Sequence, residues 1–256
     1  MAATIWRKGH LNVNDRTAYP IEFLRPCAEA GYACVQVMLN PNHPSTSLEQ
    51  VPLSYVRDIK STGMRAWGFV WADDFQGPDA LYDFVLGWRR QSLDNGCALT
   101  GFVINGEDGW EAKDQAGDAW SLKFLMRFRG NPQTAKLSLA LNTYNGCGGI
   151  SLPQWQARGA RLYYQTFHEA QTHEWPITGG IAWAAYYGYT KKAQIKPNWG
   201  TYKNPQGQLP NRGEQIRSAL EAGTKGFCAW YAEGAGDPGE HLIPLLREAR
   251  AAGVCY

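Results

Sequence analysis

Short β-branched or aromatic runs alternate with helical segments along the whole chain, and this alternation constrains the fold more than any other sequence feature. Parallel strands joined by crossover helices produce such a pattern. Eight runs are predicted to be strands: Ala2–Arg7, Cys34–Leu39, Arg65–Trp71, Leu99–Asn105, Lys136–Asn142, Arg161–Thr166, Ile177–Trp183 and Gly226–Trp230. The predicted helices are Ile21–Ala30, Leu48–Ser61 with Ser47 as its N-cap, Pro78–Asp94, Asp118–Arg129, Pro153–Arg158, Asn211 or Arg212 to Ala222, and Glu240–Ala252.

Eight strand signals in 256 residues match the size of one closed barrel, about 250 residues. The sequence therefore predicts an α/β protein that is a single (β/α)8 TIM barrel, with residues 1–256 forming one domain. An open doubly wound sheet is the alternative, because one misassigned strand would change the topology. No repeat, linker or low-complexity segment divides the chain.

Charge and hydropathy exclude several classes of partner. The 25 basic and 23 acidic residues are spread along the chain, so no basic field is available to bind nucleic acid. No apolar run approaches the roughly 20 residues of a membrane span. The first ten residues lack the apolar stretch of a secretion signal. We therefore expect a protein that is cytoplasmic as synthesised, with release by another route or association with a virion or larger particle as alternatives.

The cysteines and histidines do not suggest a metal or cofactor site. Six cysteines are scattered singly, without a paired motif, and most are expected to be small buried apolar residues. His168 and His173 are five residues apart, so they diverge around a helix and do not share a face as zinc ligands do. No metal and no cofactor is predicted.

Aromatic, amide and acidic residues follow the predicted strands. In a TIM barrel, chemistry occurs at the C-terminal ends of the strands. The 11 Trp and 13 Tyr exceed what a core of this size needs. Sugar rings stack on aromatic side chains while their hydroxyls need donors and acceptors, so this rim predicts a carbohydrate partner. The predicted substrate-binding residues are Trp71, Asp73, Asn142, Tyr144, Gln165, Trp183, Trp230 and Glu233.

Glu107 is the predicted catalytic acid. Glycoside cleavage needs a proton donor near the leaving oxygen, and Glu107 lies two residues beyond the fourth predicted strand. Asn105 should share a face with it, because extended residues at i and i+2 point the same way. The alternative for Glu107 is a solvated loop acid or an ion-pair partner.

The segment Gly101–Glu107, GFVINGE, resembles the fourth strand of endo-β-N-acetylglucosaminidases of glycoside hydrolase family 85, which ends in Asn-x-Glu. More loosely, it is similar to the Asp-x-Glu strand of family 18 chitinases. The resemblance implies that Glu107 is the acid/base and that Asn105 orients the substrate's acetamido group, which attacks as an internal nucleophile. The segments at Tyr164 and Trp230 also look chitinase-like, which implies a catalytic role for Tyr164 and a sugar-site floor at Trp230.

Departures from the chitinase pattern leave other functions open. Thr100, Val103 and Gln165 stand where chitinases carry acids. The leading hypothesis is a glycosidase that cleaves N-acetylhexosamine glycans by substrate-assisted catalysis. One alternative is a non-catalytic carbohydrate-binding or structural barrel, such as a phage component. The other is a two-carboxylate glycosidase acting on non-acetylated glycans, with Asp73, Asp74 or Glu233 as the second acid.

Overall fold

Eight parallel strands close into one barrel in a computed structural model of the chain. The structure describes residues 4–7, 21–40, 53–106, 110, 114–143, 150–165, 177–200, 207–230 and 237–255. Each strand pairs with its neighbour in chain order, and β1 pairs with β8 through Thr4 and Cys228, which completes the cylinder. The predicted (β/α)8 barrel is confirmed.

The strands are β1 Thr4–Arg7, β2 Cys34–Met38, β3 Arg65–Trp71, β4 Gly101–Asn105, β5 Ser138–Thr143, β6 Arg161–Gln165, β7 Ile195–Gly200 and β8 Cys228–Trp230. The helices are α1 Ile21–Ala30, α2 Leu53–Ser61, α3 Pro78–Asp94, α4 Asp114–Gly130, α5 Leu152–Ala157, α6 Ile177–Tyr186, α7 Arg212–Ala222 and α8 Leu242–Ala251. Short 3-10 helices lie at Ala72–Asp74 and Lys192–Gln194. The predicted N-cap Ser47 lies outside the described residues.

Alternating strand residues pack on two sides of the barrel wall, as the period of a strand requires. Residues on one side pack in the interior of the barrel: Cys34, Trp67, Phe69, Val103, Ala140, Tyr163 and Cys228. Residues on the other side form the larger core beneath the helices, which includes Val35, Val70, Ile104, Leu141, Leu162 and Phe227. The side on which a strand residue packs, the interior or the helix side, therefore follows from its place in this alternation.

The seventh strand was predicted in the wrong place. Ile177–Tyr186 is helix α6, so Trp183 lies on a helix and not at a strand end. The strand is Ile195–Gly200, a segment for which the sequence analysis predicted neither a strand nor a helix. Pro197 made this segment look unlike a strand, because proline has no N–H to donate to the hydrogen bonds of a sheet and is rare in central strands. In the structure Pro197 pairs by register with Tyr164 of β6.

Local signals explain how several helices begin and end. The Asn211 side chain accepts from the backbone N–H of Glu214 and caps α7, which ends at Gly223 in the left-handed conformation. Pro78 occupies the first turn of α3, where its missing N–H costs no helical hydrogen bond. Within the described ranges, no helix is long and apolar enough to cross a membrane.

The N-terminal end of the barrel interior contains basic and aromatic side chains. The Arg161 guanidinium lies over the Trp67 ring, 5.5 Å from its centroid. Lys196 of β7 is buried and donates to the backbone oxygens of Ala193 and Lys225. Burial, together with the nearby charge of Arg161, lowers the pKa of Lys196 from 10.5 to about 7.

The expectation that most cysteines are buried apolar residues is confirmed. Cys27, Cys34, Cys97, Cys228 and Cys255 are free and buried. Burial raises the pKa of the Cys34 thiol well above its ordinary value, which removes its thiolate at neutral pH. Cys147 lies outside the described residues.

Candidate functional site at the C-terminal rim

Asn40 links the ends of β2 and β3 at the C-terminal rim. Its Oδ1 accepts from the Trp71 backbone N–H at 2.9 Å, and its Nδ2 donates to the Trp71 carbonyl at 3.0 Å. The same Nδ2 donates to Asp74 Oδ2 at 2.5 Å. The Asn40 side chain therefore continues the ladder beyond the strands and fixes one rim carboxylate.

Trp71 is the last residue of β3, and its aromatic side chain is partly exposed at the rim. Its Nε1 donates to Met38 Sδ at 2.8 Å, and its ring makes an edge contact with Phe69 at 5.8 Å. These contacts fix the orientation of the indole while part of it stays accessible. Such a ring is suited to stacking against a sugar face.

Three asparagines form a chain of hydrogen bonds inside the barrel near the rim. Asn198 Nδ2 donates to Asn142 Oδ1 at 2.5 Å, and Asn142 Nδ2 donates to Asn105 Oδ1 at 2.7 Å. All three side chains are almost fully buried. Asn105 is the last residue of β4 and pairs by register with both Trp71 and Asn142. We call Asn198, Asn142 and Asn105 the amide chain.

The amide chain ends at Asn105 with unused hydrogen-bonding groups. Asn105 Nδ2 has no hydrogen-bond partner among the described residues, although it is buried. Its Oδ1 has two lone pairs and accepts one described bond, from Asn142. Leaving a buried amide donor unpaired costs about 1–3 kcal/mol. A ligand that supplied an acceptor at this point would remove that cost.

The described residues on either side of Glu107 are held by two backbone hydrogen bonds and by the packing of one ring. Gly106 N donates to the Asn142 carbonyl at 3.2 Å, and Trp110 N donates to the Gly106 carbonyl at 3.1 Å. The buried Trp110 ring packs against Phe124 and Trp155, with centroids 6.0 and 5.9 Å away. Glu107 itself lies outside the described residues, so its role as the catalytic acid stays a prediction.

Tyr164 does not lie where the predicted role requires it. Its side chain belongs to the core between strands and helices and is 3% exposed, whereas the neighbouring Tyr163 belongs to the interior of the barrel. Leu162 and Tyr164 share a face of β6, because residues two apart on a strand point the same way. The expectation that Tyr164 contacts the substrate is therefore corrected.

The remaining predicted residues are only partly described. Asp73 lies in the 3-10 helix after β3 and is partly exposed. Gln165 and Trp230 are the last residues of β6 and β8, but their side chains are outside the description, as is that of Trp183 on α6. Tyr144 and Glu233 lie outside the described residues. The substrate-binding roles of these residues stay predictions.

The sequence prediction missed Asn198. It lies on β7 and pairs by register with Gln165 of β6 and Cys228 of β8. A period of two was present in this segment, because Lys196 and Asn198 alternate with Ile195, Pro197 and Trp199. That alternation could have placed the two polar residues in the barrel interior.

Many of the tryptophans belong to the core. Trp67, Trp88, Trp110, Trp155 and Trp199 are each at most 3% exposed. Trp110, which follows β4 and Glu107 along the chain, is part of the helix-side core. The large number of aromatic residues is therefore explained in part by packing, so aromatic content alone does not indicate a sugar site.

Three solved structures resemble the chain over nearly its whole length. SleL, a spore cortex-lytic enzyme of Bacillus megaterium QM B1551, gives a TM-score of 0.69 at 9% identity, with 97% of this chain and 73% of SleL covered. An endo-β-N-acetylglucosaminidase from Cordyceps militaris gives 0.63 at 12% identity and covers 98% and 90%. The ChiA C-terminal domain of Legionella pneumophila gives 0.62 at 12% identity and covers 99% and 98%.

The structural relatives include barrel glycoside hydrolases. At these identities the likeness establishes a shared barrel fold. No protein-family model and no curated protein sequence matches the chain. In the described part of the chain, no group of three or more His, Cys, Asp or Glu residues could hold a metal ion.

Proposed function

We propose that this protein is a glycoside hydrolase that cleaves a glycan containing N-acetylated hexosamine, with Glu107 as the acid/base. The observation that carries the proposal is the amide of Asn105, which is buried at the C-terminal end of β4 and has an unpartnered Nδ2. It precedes Glu107 by two residues. A sugar amide at this point would pair the buried donor and lie beside the acid.

The burial of Asn105 favours an acetamido group over a hydroxyl as its partner. A sugar ring at the rim reaches a fully buried amide only through a substituent that projects into the barrel. The planar 2-acetamido group projects further from the ring than a hydroxyl and carries both an N–H and a carbonyl oxygen. The free lone pair of Asn105 Oδ1 can accept from that N–H, and its Nδ2 can donate to an oxygen of the sugar.

Substrate-assisted catalysis then needs one protein acid. The acetamido oxygen attacks the anomeric carbon while Glu107 protonates the leaving oxygen, and the same carboxylate afterwards activates water. An acceptor on the acetamido N–H favours this attack, because it stabilises the positive charge that develops on the amide. Trp71 supports the sugar as a stacking surface at the same rim.

The test is hydrolysis of N-acetylglucosamine oligomers by the wild type and by Glu107→Gln. We expect the wild type to release shorter oligomers and Glu107→Gln to lose at least about a hundredfold in turnover, the usual contribution of a general acid. Asp108→Asn is the matched control, since it removes the neighbouring carboxylate and should retain most activity. Full activity in Glu107→Gln would rule out the assignment. Binding without product by the wild type would instead indicate a carbohydrate-binding barrel.

A two-carboxylate glycosidase is the second candidate, favoured by the orientation of Asp74. Its Oδ2 accepts from Asn40 Nδ2, so this carboxylate is fixed at the rim. Such an enzyme would cleave glycans without an acetamido group and would lose activity on Asp74→Asn as well as on Glu107→Gln. Comparing acetylated with deacetylated oligomers separates the two candidates.

A further inference from the structure

We infer that the N-terminal mouth of the barrel binds a phosphate group between Arg65 and Arg161. Arg65 is the first residue of β3, and Arg161 is the first residue of β6. Both therefore lie where the strands begin, at the end of the barrel opposite to the C-terminal rim. The site is separate from Asn105 and does not depend on the proposed function.

Both arginines belong to the interior face of their strands. Arg65 precedes the interior residue Trp67 by two positions, and Arg161 precedes the interior residue Tyr163 by two. The Arg161 guanidinium lies over the Trp67 ring, 5.5 Å from its centroid. The side chain from β6 therefore crosses the interior to β3, the strand on which Arg65 lies.

The electrostatic environment of two buried groups shows that these charges lie in one region. Burial raises the pKa of the Cys34 thiol, and the charges of Arg65 and Arg161 both oppose that rise. Burial lowers the pKa of Lys196, and the charge of Arg161 lowers it further. The effect of a charge weakens with distance, so the two arginines lie near the same thiol and one of them lies near Lys196.

No described carboxylate balances this positive charge. The ion pairs of the described residues join Lys123, Arg127 and Arg212 to acids on the outer helices. Lys196 donates to backbone carbonyls, which carry no net charge. It therefore adds positive potential to the mouth when it is protonated, and an anion between the arginines would reduce the repulsion among these groups.

Two buried donors lie one layer deeper in the barrel. Gln36 and Trp67 pair by register on β2 and β3, and both are at most 2% exposed. Gln36 Nε2 and Trp67 Nε1 have no hydrogen-bond partner among the described residues. An N–H group donates and cannot accept. Positive charge beside unpaired donors favours an oxyanion over a cation or an apolar ligand.

Phosphate is the oxyanion that suits two arginines best. A guanidinium presents its N–H groups in a planar fork that can donate two parallel hydrogen bonds to phosphate. The phosphate oxygens point in several directions, so one group can accept from arginines of two strands. Arg65 is exposed and Arg161 is half-buried, so a ligand can reach the mouth from solvent. Inorganic phosphate and a phosphate monoester share this chemistry.

The experiment measures the midpoint of thermal unfolding against the concentration of inorganic phosphate or of methyl phosphate, with sodium chloride holding the ionic strength constant. We expect about 20 mM of the better probe to raise the midpoint by about 2–4 °C, because a ligand that binds only the folded chain stabilises it. A larger rise with methyl phosphate would assign the site to a phosphate monoester, and a larger rise with inorganic phosphate would assign it to the free ion.

Arg65→Gln and Arg161→Gln each remove one cation and should weaken binding of the better probe at least about tenfold, the effect of a hydrogen bond to a charged group. Arg247→Gln is the matched control, because it removes the same charge from an exposed position on α8 and should keep the wild-type affinity. The affinity comes from the change that the probe causes, so a different stability of a variant without probe does not alter it. No rise with either probe, or the same rise in Arg161→Gln as in the wild type, would overturn the inference.

Discussion

The two ends of the barrel interior bury polar side chains in different ways. At the N-terminal end, Lys196 donates to backbone carbonyls of residues 193 and 225, which precede β7 and β8. Near the C-terminal rim, the buried polar groups are neutral amides that bond to one another and leave a donor unpaired at Asn105. The first arrangement bonds the barrel to itself, and the second leaves the donor that the proposed function uses.

The physical basis of this difference is where the hydrogen bonds end. A side chain whose donors are consumed by backbone carbonyls ties the barrel together and has little left for a ligand. A chain of side-chain amides that ends in an unpaired group lowers the stability of the free protein. A ligand that pairs this group removes that free-energy cost on binding. Barrels in general place chemistry at the C-terminal rim and stability at the other end. Substitutions at the two ends should therefore affect different measurements.

The largest expected effect is the loss of stability when Trp67, in the interior of the barrel, is replaced. Trp67 is 2% exposed, and Gly101 leaves room for its ring, since a Cβ there would lie 3.0 Å from Trp67 Cδ2. Trp67→Ala should lower the free energy of unfolding by about 3–5 kcal/mol. Trp71→Ala, at the partly exposed rim, should cost less than about half of that but weaken oligosaccharide binding. Urea denaturation and calorimetry measure both; equal losses of stability would show that Trp71 is a core residue.

A smaller effect is expected when α4 is changed at its two ends. Gly117 lies in the first part of α4, where an added Cβ would lie 1.9 Å from the Trp110 carbonyl oxygen, whereas at Gly130, the last residue, nothing lies within 4 Å. Gly117→Ala should lower the free energy of unfolding by about 1–3 kcal/mol, because the added Cβ displaces the backbone of Trp110. It should also lower activity, since Trp110 lies three residues after Glu107. Gly130→Ala should be neutral or stabilise by up to about 1 kcal/mol. Chemical denaturation distinguishes them, and two equal values would contradict the close contact.

Most of the fold could be predicted from the sequence because apolar runs and helix boundaries are local signals. The bounds of β3 and α3 agree with the prediction. The seventh strand could not be placed by the same signals. The apolar run at Ile177 belongs to a helix, while the real strand contains Pro197. An apolar run of this length is compatible with a buried helix or a buried strand, and only pairing in the closed barrel decides between them.

The candidate site could be predicted only to the level of strand ends. Asn105 and Asn142 were identified from their position after apolar runs, but the bond between them depends on barrel register. Tyr164 was given a catalytic role through a resemblance, but its side chain packs on the helix side of β6 together with that of Leu162. The amide chain was not predictable, because Asn198 lies on β7, the strand that was not predicted from the sequence.

The smallest expected effect is a pH dependence of stability caused by Lys196 at the N-terminal end of the barrel. The pKa of Lys196 is lowered to about 7 in the folded protein, against 10.5 when it is exposed in the unfolded chain. Between these values the unfolded chain binds more protons, so stability should rise with pH, by at most about 1.4 kcal/mol per pH unit for one group. Below about pH 7 the lysine is protonated in both states and contributes no slope. Urea denaturation at pH 7.5 and 8.5 measures the change in the free energy of unfolding between these pH values. The difference in this change between the wild type and Lys196→Met cancels the contribution of other titratable groups. An identical slope in both proteins would show that Lys196 titrates normally, and the contrast between the two ends of the barrel would then lose its electrostatic part.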